Sequence, residues 1–103
     1  MEVFMGWNEA YTILEATVIN TYNADKLDEP LLRSLMEPYR NRDIDHGGSM
    51  DLQAKDGLDC DEIIIKILRP KVWEKAKTLG YEERSDIIAE AWYKLTREEF
   101  GYY

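Results

Sequence analysis

The chain has 103 residues, 21 acidic against 13 basic, and a formal net charge of −8. That length suits one domain, and the acidity argues against an extended nucleic-acid-binding surface, which needs clustered Lys and Arg. A hydrophobic fraction of 45% with 12% aromatics is enough for a packed core. A single cysteine, Cys60, rules out an internal disulfide, and one Cys with one His leaves no Cys/His zinc set. The longest apolar runs, such as Ile63-Ile64-Ile65, fall far short of the ~20 residues of a membrane span. The first basic residue is Lys26, so a secretory signal is not expected, and cytoplasmic residence follows by default.

Helix signals dominate from the start. A first helix is expected from about Asn8 to Tyr22. Trp7, Tyr11, Leu14, Val18 and Tyr22 recur at spacings of four and three and share one stripe. Asn8 is a candidate cap, and Asn20 and Asn23 suggest the exit. A second helix is expected to start at Asp28, with Pro30 tolerated in its first turn and Pro38 stopping it at Glu37. Leu31, Leu32, Leu35 and Met36 make its face.

Residues 39–58 form the least regular stretch. Gly47-Gly48 and Asp56-Gly57 are turn signals. A loop of ~20 residues is long for a compact domain. Ile44, Met50, Leu52 and Leu58 are spaced to tack it onto the core.

A third helix follows, with Asp59 and Glu62 at capping-box spacing and Ile63, Ile64, Ile67 and Leu68 on one face. A strand over 62–68 is the competing reading, because Ile is β-branched. The cap and Pro70 favour helix. Pro70 then opens a fourth helix with Val72, Trp73, Ala76 and Leu79 inward and Gly80 as its exit. The last long helix is expected from Glu82 to Arg97, with Ile87, Ile88, Ala91, Trp92 and Leu95 facing inward. Thr96 and Glu99 are spaced to start one more short turn before Gly101, leaving Phe100, Tyr102 and Tyr103 frayed unless they dock. The reading is therefore all-α: one compact acidic domain over 1–103, about five short helices and one long Gly/Asp-rich loop. Trp7, Trp73 and Trp92 lie on inner stripes and are read as core.

The charge is uneven. Residues 66–81 carry Lys66, Arg69, Lys71, Lys75 and Lys77 against Glu74 alone. Much of the acidity sits at expected helix starts, where the helix dipole favours it. The row Glu82, Asp86, Glu90 has no such account. Its spacing of four aligns three carboxylates on one helix, where like charges repel. Lys94 continues the row and is expected to relieve Glu90. Carboxylates at ~6 Å intervals along a helix can imitate a string of phosphates.

Asp43, Asp45, Asp51 and Asp56 cluster in the loop. Against a calcium-loop pattern, Asp43, Asp45, Gly48 and Asp51 fall into place, but Gly47 and Ala54 stand where ligands are needed. Short Asp side chains that hydrogen-bond their own turns explain the cluster more simply. His46 and Ser49 define no catalytic set, there is no phosphate-binding glycine motif, and Cys60 beside Asp59, Asp61 and Glu62 is read as structural. No enzyme and no cofactor is expected.

By elimination, the chain reads as a binding module that acts by stoichiometric contact. Its acidity suits a basic protein partner, such as a nucleic-acid-handling enzyme of host defence inhibited by a phage-type or mobile-element mimic of nucleic acid. The candidate contacts are Asp43, Asp45, Asp51, Asp56, Glu82, Asp86 and Glu90. Neither direct nucleic-acid binding nor a membrane is expected. The alternatives are a homo-oligomeric regulatory or scaffold protein, with Tyr102 and Tyr103 in an interface, and a calcium-dependent loop protein.

Overall fold

The computed structural model describes residues 7–41 and 52–101, with side chains of the first helix described from Thr12 onward. The fold is all-α. Five helices follow in order: α1 (Trp7–Asn23), α2 (Glu29–Met36), α3 (Cys60–Leu68), α4 (Pro70–Ala76) and α5 (Tyr81–Phe100). A short 3₁₀ turn, Glu37–Tyr39, follows α2, and there is no strand among the described residues. The α3 helix is the hub: it packs against each of the other four.

Local chemistry explains the boundaries. At the end of α1, Asp25 adopts φ 57°, and the N–H groups of Asp25 and Lys26 return to the carbonyls of Tyr22 and Thr21. This is the paired-bond closure of a helix end, with Asp in the left-handed position usually held by glycine. Asn8 lies inside α1, one residue past its start, so it does not cap it. Asp28 caps α2 by accepting the Leu31 N–H at 2.9 Å, with Pro30 in the first turn. The α3 capping box is complete: Asp59 Oδ1 accepts the Glu62 N–H at 2.9 Å, and Glu62 Oε1 accepts the Asp59 N–H at 3.3 Å. Residues 62–68 are therefore helical, as the cap predicts.

The inward faces are wider than single stripes. On α3 Ile63, Ile64, Ile65 and Leu68 are buried, whereas Ile67 is only half-buried. The expected face took Ile67 in place of Ile65. A helix covered by neighbours on several sides buries more than one stripe. Each fully buried isoleucine contributes roughly 1.5–3 kcal/mol. Trp92 is 1% exposed, as a core tryptophan should be, while Trp73 is half-buried against the core and the Trp7 side chain lies outside the described ones.

Two boundaries differ from expectation. Gly80 does not end α4. Thr78 and Leu79 close that helix through N–H bonds to Lys75 and Ala76, and Gly80 sits at φ −65° as the cap residue of α5. Thr96 and Glu99 start no new turn, because α5 runs unbroken to Phe100. The buried Thr96 hydroxyl donates to the Trp92 carbonyl at 2.8 Å, so it needs no cap role. Phe100 is docked rather than frayed, at 2% exposure.

Of the irregular stretch 39–58, residues 39–41 and 52–58 are described, and Tyr39 closes the 3₁₀ turn. Ala54 and Leu58 bond across a turn at 2.8 Å, and Gly57 supplies φ 89°. Leu52, Ala54 and Leu58 pack on the core. Ile44, Met50, Gly47 and Gly48 lie outside the described residues.

Candidate functional site

The α5 helix positions the acidic row. Its inward side buries Ile88, Trp92, Leu95, Thr96 and Phe100, which fixes the opposite side toward solvent. Glu82, Asp86 and Glu90 are all exposed there, at ~6 Å intervals along the axis. Among the described residues, no ion pair involves any of the three. The neighbouring Arg84 turns away to Glu62, with Nε 3.3 Å from Oε2. Lys94 forms no ion pair with Glu90, contrary to expectation; holding an exposed lysine in one geometry costs entropy that a screened contact barely returns.

Five of the other described acids behave differently. Glu29, Glu37, Glu62, Glu74 and Glu99 each meet an Arg or Lys. Glu99 is the most engaged, taking Arg33 Nη1 at 2.6 Å on one oxygen and Arg69 Nη2 on the other. Partial burial pulls its pKa up, but the two guanidiniums outweigh it and hold the carboxyl below its usual value. The basic stretch 66–81 is largely used up in the same way. Arg69 serves Glu99, Lys77 meets Glu74 at 2.7 Å, and Lys66 reaches Tyr22, which leaves Lys71 and Lys75 exposed on α4.

Asp56 is exposed, but its oxygens already do structural work. The Tyr22 hydroxyl donates to Oδ2 at 2.5 Å, Lys66 Nζ donates to the Tyr22 oxygen at 2.7 Å, and the Leu58 N–H reaches Oδ1 at 3.1 Å. Burial would raise the Asp56 pKa, yet these bonds lower it, while burial and the bond to Asp56 raise that of Tyr22. With Asn23 Oδ1 accepting the Lys55 N–H at 2.9 Å, the relay ties the 54–58 turn to the end of α1. An open cleft of about 500 Å³ lies there, lined by Tyr22, Asn23, Asp25, Leu27, Lys55 and Asp56.

Asp43, Asp45 and Asp51 lie outside the described residues, as do His46, Ser49, Tyr102 and Tyr103. Of the seven candidate contacts, the structure thus aligns three on α5 and places Asp56 in a turn against α1 and α3. Among the described residues, no three His, Cys, Asp or Glu side chains are grouped to hold a metal ion, and no helix is long and apolar enough to cross a membrane. Cys60 is buried in the first turn of α3.

One residue escaped sequence reasoning. Glu15 is 4% exposed, and its Oε1 accepts no hydrogen bond. The signal was its position three and four residues before Val18 and Ile19, on the buried side of α1. Burial, with the Asp59 carboxylate nearby, raises its pKa from 4.5 to about 7.

Comparisons with protein-family models, with curated proteins and with solved structures found no match to this chain.

Proposed function

We propose that the protein is a stoichiometric binder of a basic protein, with the α5 row Glu82, Asp86 and Glu90 as its docking edge. The observation that carries this reading is the contrast in charge pairing. Three aligned, exposed carboxylates form no ion pair among the described residues, whereas Glu29, Glu37, Glu62, Glu74 and Glu99 each meet an arginine or lysine. An unrelieved row costs a few tenths of a kcal/mol per neighbouring pair, and a basic partner would relieve that repulsion. Regular carboxylates on a rigid helix resemble the phosphates that line a nucleic-acid groove. The partner class favoured is therefore an enzyme that grips nucleic acid electrostatically. Occupying such a groove would inhibit it without chemistry, as an anti-defence protein of phage type would.

The test is capture from cell lysate by the wild-type chain and by the E82Q/D86N/E90Q variant, at low and high salt. The reading expects a nucleic-acid-processing enzyme retained by the wild type at low salt. Salt or competing duplex DNA should release it, the variant should lose it, and one equivalent of wild-type protein should inhibit it. Salt-insensitive retention, or equal retention by the variant, overturns the proposal.

A further inference from the structure

The α1–α3 seam holds a feature that α5 does not use. Glu15 is the only charged residue among the described side chains of α1, from Thr12 onward, and it lies on the side that buries Leu14, Val18 and Ile19. Among the described side chains, none pairs Glu15 with a cation. From the start of α3, the Asp59 carboxylate acts on it. Glu62 faces Arg84 and the Asp59 N–H instead, and Lys66 is taken by Tyr22. From α2, Arg33 is committed to Glu29 and Glu99. Tyr22, the titratable group at the far end of α1, is bonded to Asp56 and Lys66.

We propose that Glu15 makes the α1–α3 seam a proton-gated joint, closed while its carboxyl is neutral and loosened when that carboxyl ionises beside Asp59. An ionised Glu15 would be a buried anion with a like charge nearby and no cation paired with it among the described side chains, which is costly away from solvent. Asp59 cannot withdraw cheaply, because it caps α3 by holding the Glu62 N–H. The helix that can move is α1. Its C-terminal end is tethered through Tyr22 to Asp56 and through Asn23 to Lys55, so loosening hinges there and frees the part of α1 around Glu15.

The sign follows from linkage. A carboxyl with a folded pKa near 7 against 4.5 in the open state stays protonated as the open state ionises. Closure is therefore fully stable below pH 4.5, weakens from there up to about pH 7, and levels off above.

Amide exchange on the full chain tests it. After correction for intrinsic exchange, opening of residues 12–19 should rise roughly 70-fold between pH 5 and pH 8 in the wild type. Amides in the buried part of α5 should change far less, and E15Q should remove the pH dependence in α1. A carbon-13 carboxyl titration of wild-type Glu15 gives a second readout that needs no variant. A midpoint near 7 supports the joint, and one near 4.5 overturns it. Parallel pH profiles for wild type and E15Q, or equal opening of α1 and α5, also overturn it.

Discussion

The Glu99 clamp sets a definite stability expectation. Glu99, on α5, bridges Arg33 of α2 and Arg69 at the α3–α4 junction, so one carboxylate joins three parts of the fold. Replacing it by Gln keeps the shape and removes the charge. The Glu99 side chain is 28% exposed and its two arginines 36% and 34%. Charge-assisted bonds are each worth ~1.5–3 kcal/mol when well shielded. Solvent screening at this exposure reduces the pair together to about 2 kcal/mol. For a domain of this size that lowers Tm by roughly 10 °C. Thermal melts by circular dichroism at pH 7 read the loss directly. The pH dependence sharpens the test, because the folded pKa of Glu99 lies below its unfolded value of 4.5. Its contribution is present above pH 4.5 and disappears as pH falls through the folded value. Wild type and E99Q should therefore converge in acid. A Tm gap under about 2 °C at pH 7, or a gap that persists unchanged in acid, would refute the clamp.

Two further substitutions probe the packing. Gly101 has φ 66°, and a Cβ there would fall 2.3 Å from Asn41 Oδ1, beside the Asn41 N–H bond to the Phe100 carbonyl. G101A should cost about 1–2 kcal/mol by urea unfolding, from left-handed strain plus displacement of the Asn41 side chain; an unchanged midpoint would contradict that packing. Ile64 is fully buried on the central helix, so I64A should cost ~2–5 kcal/mol. A loss below about 1 kcal/mol would mean that α3 is not the hub.

Features set within a few residues of one another were readable before the structure. Asp28 with Pro30, and Asp59 with Glu62, announced two helix starts because capping acts over three residues. The α5 row was readable for the same reason, since alignment needs only a spacing of four. What the chain did not reveal depends on which helices meet. Ile65 is buried and Ile67 half-buried because α3 is covered on several sides, which periodicity alone does not convey. Gly80 looked like a stop, as glycine often is, but Thr78 and Leu79 had already closed α4. The Lys66–Tyr22–Asp56 relay and the Arg33–Glu99–Arg69 clamp are built from bonds between residues 30 to 66 positions apart. Charge counting sees those residues only as contributions to a total. Glu15 was obscured likewise, because an acidic residue on a helix is by default assigned to solvent.

The most direct measurement for a docking role of α5 is an NMR titration with a short oligolysine peptide at low salt. Backbone shifts should concentrate at Glu82, Asp86, Glu90 and their neighbours on the exposed side of α5. They should vanish at high salt and in the E82Q/D86N/E90Q variant. Shifts spread evenly over all the acidic residues, or centred away from α5, would contradict it.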